Sequence, residues 1–406
     1  MRHVLRAAAR ALGAATLLAA GAAAAQTPAS IKIGYAISRT GPNAGGASTT
    51  VLPNYELWVA EVNAAGGLKL GDKRVPIEVI SYDDRSSSEE AVRAIERLIS
   101  QDKVDLVLPP FGTGLNLAVG PALARAKYPH IAVSAITDRA PELAKRWPTS
   151  FWMTGTSSGH VQALADVLGK QKAAGKIGGK VAMVAVADGF GIDLSGAART
   201  ILPKAGFELV YDKSYPVGTQ DMSGIVNEIR ALAPDVFVAF SYPPDTLQIT
   251  DQSRLSAFNP KMFVSGIGTT FPLYKQRFGP DSEGVIGLGG ADIDNPGYKA
   301  YAAKLKERMG KEPERSTGGL MGYAALEMLG QAIERVGRVD RDAIVAEMQR
   351  GTFDTMMGRI KLEGNLPAEL WYVGQWQNGE FVAIAPTDRA GAKAAIAPKQ
   401  PWGPRS

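Results

Sequence analysis

Apolar positions along this chain fall into short runs that alternate with longer segments of helical spacing. Ile31–Ile37 reads as a buried strand and Val75–Asp83 as a second. Between them Tyr55, Trp58, Val59 and Val62 recur at helical intervals, and Ala64-Ala65-Gly66-Gly67 supplies a glycine stop. Ser87 followed by Glu90 is a capping box, with Val92, Ile95, Leu98 and Ile99 as the buried helix face. Two more apolar runs follow, Val104–Leu108 and Ile131–Ala135. The stretch between them carries Leu115, Leu117, Ala118, Pro121, Ala122 and Leu123 at helical spacing.

Near Trp147-Pro148 the pattern restarts with Phe151–Met153 and a helix over about 159–174. Strands are then predicted at Val181–Val186, Phe207–Tyr211, Val236–Phe240, Met262–Ser265 and Gly284–Leu288. Helices are predicted at Ile192–Leu202, Met222–Leu232 and Thr246–Ala257. A mainly helical stretch covers about 298–309, 320–336 and 342–348. Gly358–Leu362, Trp371–Gln375 and Glu380–Ile384 then read as short antiparallel strands, with Asn378-Gly379 as a hairpin turn. Strands alternating with helices in two successive sets predict an α/β chain of two doubly wound parallel-sheet lobes.

The first residues change the picture of location. Arg2, Arg6 and Arg10 precede a mostly apolar Ala11–Ala20, and Ala23-Ala24-Ala25 suits a cleavage site. Residues 1–25 therefore read as a secretory signal peptide. Loss of its three arginines would lower the net charge from +5 to +2. With no dense Lys/Arg run elsewhere, no nucleic-acid partner is expected. The chain has no cysteine, which excludes disulfides, thiolate metal sites and a lipid-bearing cysteine after the signal. The exported protein is thus expected to be free in the periplasm. About 380 residues are too many for one compact core, in keeping with two lobes.

Catalytic motifs are sparse. Gly155-Thr156-Ser157-Ser158-Gly159 has the form of a nucleophile elbow between a strand and a helix. The downstream histidine that such a serine needs is missing: His3 lies in the signal, His130 precedes the serine, and His160 is too close in sequence. Gly112-Thr113-Gly114, Gly189-Phe190-Gly191 and Gly266-Ile267-Gly268 each follow a strand without the third glycine of a dinucleotide fingerprint. Two histidines outside the signal and no cysteine argue against a metal site. No cofactor is expected. Asp83-Asp84 reads as a solvated strand end.

What remains is a set of small polar and aromatic groups where strands end: Phe111-Gly112-Thr113-Gly114, Ala135-Ile136-Thr137-Asp138, Phe190 and Tyr242. In a parallel sheet these loops emerge at one edge, where helix amides meet ligands. The segments IKIGYAISRTGPNAGG, ISYDDRSSSEEAV, VDLVLPPFGTG, IAVSAITDRAPEL, VFVAFSYPPD and MMGRIKLEGNLPAELWYVGQWQNGEF occur in this order. In these the chain resembles the periplasmic solute-binding proteins of branched-chain amino-acid ABC importers, the leucine/isoleucine/valine-binding type.

The resemblance implies two lobes joined by three crossovers and closing on a ligand, delivery to an inner-membrane permease, a monomer, and no catalysis. Lobe I is drawn as 29–149 plus 292–352 and lobe II as 150–291 plus 353–386, with 387–406 a loosely ordered tail. Carried over position by position, it assigns a ligand carboxylate to Phe111, Gly112 and Thr113 and to Ala135, Ile136 and Thr137. Phe190 and Tyr242 become walls of the other lobe. It also exposes a departure: Ile267 falls where amino-acid binders place an acid for the ligand ammonium. Either Asp245 or Asp188 replaces that acid, or the ligand has no ammonium. The expected function is capture of an amino acid or similar small carboxylate. The alternatives are an aromatic or other organic acid, a sensor's ligand domain, and an esterase acting through Ser157.

Overall fold

A computed structural model describes residues 28–403; the expected signal peptide lies outside the described residues. The first lobe begins with β1 (Ile31–Ile37), α1 (Ala44–Thr50), α2 (Leu52–Ala64), the small hairpin β2 (Leu68–Leu70) and β3 (Lys73–Val75), and β4 (Ile77–Asp83). It continues with α3 (Ser88–Ser100), β5 (Leu106–Leu108), α4 (Thr113–Arg125), β6 (His130–Ala132), α5 (Ala140–Arg146) and β7 (Ser150–Trp152). Strands β4-β1-β5 pair in parallel, as do β6 and β7. β5 and β7 are buried throughout, whereas β4 at the sheet edge is largely part-exposed.

The second lobe contains α6 (Ser157–Ala173), β8 (Lys180–Val186), α7 (Gly189–Lys204), β9 (Glu208–Tyr215), α8 (Ser223–Ala231), β10 (Val236–Phe240), α9 (Pro243–Leu255), β11 (Met262–Ser265), α10 (Pro272–Phe278) and β12 (Ile286–Leu288). The chain then returns to the first lobe as α11 (Pro296–Met309), α12 (Thr317–Val336) and α13 (Arg341–Arg350), and adds β13 (Thr352–Thr355), β14 (Gly358–Glu363) and β15 (Leu366–Pro367). It crosses once more into β16 (Val373–Gln377) and β17 (Glu380–Ala385). The second sheet runs β17-β16-β12-β11-β10-β8-β9, parallel from β12 to β9 and antiparallel at the β16–β17 hairpin. Asn378 and Gly379 both take positive φ in that turn, 52° and 74°, as a two-residue hairpin requires.

The two sheets are thus linked by three passages, after β7, after β12 and after β15. Three sequence expectations are corrected. Thr352–Pro367, assigned to lobe II, packs on first-lobe elements: β13 on α12, β14 on α13, and β15 beside β7. Its two-sided apolar positions, Phe353 and Leu362, are buried there. The expected loose tail is also tied down as far as residue 403. Trp402 Nε1 donates to Phe258 O at 2.6 Å, and its ring meets Phe263 edge-on at 5.3 Å. Ile396 N donates to Gln375 Oε1, and Lys399 N to Lys261 O. Ala- and Pro-rich composition concealed these anchors. Asp84 is not solvated either; it is fully buried and accepts from Ser38 Oγ at 2.5 Å.

Candidate ligand cleft

A cavity of about 360 Å³, including its mouth, lies where the strand-end loops of the two lobes face each other. From the first lobe it is lined by Thr50, Phe111, Gly112, Thr113, Ser134 and Ile136, and by Ser316 and Gly318 at the start of α12. Thr154, on the first passage, and Phe190, Tyr242 and Ile267 complete it.

The floor is built by two adjoining loops that fasten each other. Gly112 sits at φ 94°, where only glycine is at ease, and turns β5 into α4. Its N–H donates to Ser134 Oγ at 3.0 Å. Thr113 Oγ1 accepts from Ile136 N at 3.1 Å and donates to Ile136 O at 3.4 Å. Ser134 Oγ in turn donates to Pro110 O at 3.3 Å. These two outgoing donations are long for hydroxyl hydrogen bonds, so both O–H groups can turn toward an anion. The first turn of α4 has no side-chain cap, which leaves the positive end of that helix over the cleft. Thr50 Oγ1 is enclosed and has no hydrogen-bond partner.

The walls are aromatic. Phe190 and Tyr242 stack at 5.2 Å with 25° between their planes, and Phe111 of the other lobe lies 6.4 Å from Tyr242. Phe111 can seat there because residue 46 is glycine: a Cβ at Gly46 would come within 2.4 Å of the ring. Tyr242 is aimed by its hydroxyl, which donates to Asp188 Oδ2 at 2.7 Å. The lobes stand closed. Thr137 donates to Asp193 across the cleft mouth, Thr270 to Glu314 on the other side, and Ser158 Oγ to Asp138 at 2.7 Å near the first passage.

Of the residues singled out from sequence, Phe111, Gly112, Thr113, Ile136, Phe190, Tyr242 and Ile267 line this cavity together. Ala135, Thr137 and Asp245 do not. Ala135 offers its carbonyl to Thr154 Oγ1, and Thr137 donates to Asp193 of the other lobe. Asp245 is buried behind Tyr242, where it accepts from Tyr215 Oη at 3.2 Å and Tyr242 N at 3.4 Å. Burial pushes its carboxyl up to about 6. Asp188 accepts from the Phe190 and Gly191 amides besides Tyr242, and burial raises its pKa too. Neither acid lines the cleft. Thr50, Ser134, Thr154, Ser316 and Gly318 were missed. Ser316-Thr317-Gly318-Gly319 carries the same hydroxyl-and-glycine signature as the α4 start, but it falls between the helices predicted over about 298–309 and 320–336.

The esterase alternative finds no support in the geometry. Ser157 is fully buried. Its neighbour His160 points Nδ1 at Tyr372 O, 3.3 Å away, and Nε2 at Thr154 O, 3.0 Å away. Both nitrogens face carbonyls rather than the serine, whose Oγ has no hydrogen-bond partner, and burial lowers the imidazole's pKa to about 4.

Two α/β lobes meet on a small cleft whose lining side chains are uncharged. The chain belongs to the periplasmic binding protein family, whose sequence profile matches residues 30–380. It has the two-lobed type I fold of its structural neighbours, and the family implies an extracytoplasmic location. Leu/Ile/Val-binding protein homolog 7 of Brucella suis is 27% identical over 401 residues, covering 93% of this chain and 96% of the relative. The leucine-binding protein LivK of Thermotoga maritima superposes with a TM-score of 0.74 at 21% identity, over 88% of this chain and 100% of its own. A solute-binding protein of an ABC transporter from R. palustris, solved in complex with benzoate, gives 0.77 at 20% identity, over 90% and 99%.

Proposed function

We propose that this protein captures a small carboxylate with an apolar body and no ammonium group, and delivers it to an inner-membrane permease. One observation carries the reading: no residue lining the cleft has a charged side chain. A ligand carboxylate is served by hydroxyls of Thr113, Ser134 and Thr50 and by the uncapped α4 terminus, which together replace water around an oxyanion. An ammonium would face Ile267, Phe190 and Tyr242, and burying it unpaired is costly. The aromatic walls suit a flat or branched hydrocarbon body. Benzoate in the R. palustris protein is a ligand of this description.

Enclosure is the mechanism. Phe111, Thr113 and Ser134 belong to one lobe, Phe190, Tyr242 and Ile267 to the other, so only the closed state contacts the ligand from both sides. The protein works without catalysis or cofactor, as a monomer, and reaches the periplasm through a signal peptide cleaved near residue 25. Its lobes divide at the three passages, with residues 353–367 moved to lobe I. Thermal-shift screening tests the ligand class, because a bound ligand raises stability by mass action. Benzoate and short aliphatic acids are expected to raise Tm while leucine, isoleucine and valine leave it unchanged. A shift with the amino acids alone would overturn the reading.

A further inference from the structure

Beside the passages lies a larger cavity of about 810 Å³, including its mouth. It is bounded by α12, by β14, by the segment Pro367–Trp371 and by Arg389, which follows β17. We propose that this cavity is a second binding site, for an organic anion with an apolar body.

Its charge is one-sided. Arg359, Lys361 and Arg389 line it against a single acid, Glu369. Arg359 is drawn outward by an exposed pair with Asp354 at 3.1 Å. Arg389 lies over the Trp371 ring, 4.3 Å from its centroid, and its Nη2 reaches Glu369 at 3.4 Å. That acid is 76% exposed, so the pair contributes little. Arg389 Nη1 is enclosed and has no hydrogen-bond partner. The side chain as a whole keeps 26% of its surface accessible, and a carboxylate, sulfonate or phosphate head in the cavity would pair with that accessible part, since the planar guanidinium favours such forked acceptors. Leu370, Met321 and Met357 give the rest of the cavity an apolar and adaptable lining.

The placement gives the site a consequence for the cleft. Arg389 belongs to the second lobe, α12 and β14 to the first, and Gly290 and Trp371 to two of the three passages. Thr317, on the cavity wall, donates to Trp371 O at 2.9 Å. An occupant touching both lobes favours one angle between them, so it changes affinity in the cleft, and the cleft ligand changes its own affinity by the same factor.

The test is a titration of the native, signal-free protein with 8-anilinonaphthalene-1-sulfonate, an amphipathic anion whose fluorescence rises in apolar surroundings. The expected result is saturable one-to-one binding that quenches tryptophan emission through Trp371. Arg389→Gln should weaken it at least tenfold, and Lys361→Gln, on an exposed strand face, severalfold without altering the thermal melt. Tyr242→Ala, which opens only the cleft, should leave it in place. Absence of saturable binding overturns the proposal. So does binding that survives both Arg389→Gln and Lys361→Gln, or that is lost only in Tyr242→Ala, which would put the probe in the ligand cleft.

Discussion

Glu314 is the group through which pH should reach this fold. It lies between α11 and α12 of the first lobe and is fully enclosed. Its carboxylate accepts from Thr270 of the second lobe, from Ser316 N and from Ser316 Oγ. These donors favour the charged form, but burial outweighs them and pushes the carboxyl up from 4.5 to about 7. Between those values the folded protein holds a proton that the unfolded chain has released. The contribution of Glu314 to stability is therefore full below about pH 4.5, falls as pH rises, and levels off above about 7. At 1.36 kcal/mol per unit, the loss owed to Glu314 is roughly 3 kcal/mol. Glu327 and Asp245, pushed by burial to about 7 and about 6, titrate in the same window, so the parent's slope alone does not isolate one group. Glu314→Gln does. Urea unfolding at pH 5 and pH 8 should show that the parent loses roughly 3 kcal/mol more than the variant over that interval. Equal pH dependence in the two proteins would refute the reasoning.

Thr113→Val keeps the shape of the side chain but strips Ile136 N–H of its 3.1 Å acceptor. It should cost about 1–3 kcal/mol in denaturant melts and weaken ligand binding, with Thr113→Ser restoring both; an unchanged melt for the valine variant would count against this loop geometry. Thr137→Val removes the cross-lobe donor to Asp193, so calorimetric affinity should fall roughly tenfold. Asp193→Ala should do the same, and the double variant should be no worse than either single one, whereas full additivity would mean the two do not act as a pair. Trp402→Ala deletes the ring that packs on Phe263 and caps Phe258 O. A loss of about 2–3 kcal/mol is expected, toward the low end for large aromatic truncations because the ring is half-buried; an unaltered melting temperature would show the tail to be idle.

The alternation of strands and helices was legible because parallel strands buried on both faces carry unbroken apolar runs, as at Val181–Val186 and Val236–Phe240. Less was legible where short-range pattern and long-range packing disagree. Lys73–Val75 pairs back on Leu68–Leu70 rather than extending into β4, and glycine-rich Ala44–Thr50 is helical despite weak propensity. The site divided along the same line. Phe111, Gly112, Thr113, Phe190 and Tyr242 sit where strands end, as the edge rule expects, and they line one cavity. Thr137 lies at a strand end as well, but it reaches Asp193, a partner 56 positions later that no local pattern displays. Ser316 and Gly318 come from a helix start supplied by the returning chain, far in sequence from the sheet edge it faces. Ile267 was the most informative single residue: it signalled a missing acid, and the cleft lining carries none.

The claim that the ligand lacks an ammonium group is tested most directly by isothermal calorimetry on two matched pairs, phenylalanine with 3-phenylpropanoate and leucine with 4-methylpentanoate. The members of each pair differ only by the α-ammonium. The account predicts that the des-amino acid binds at least tenfold more tightly in each pair that binds, roughly 1.4 kcal/mol or more. Tighter binding of phenylalanine or leucine would contradict it.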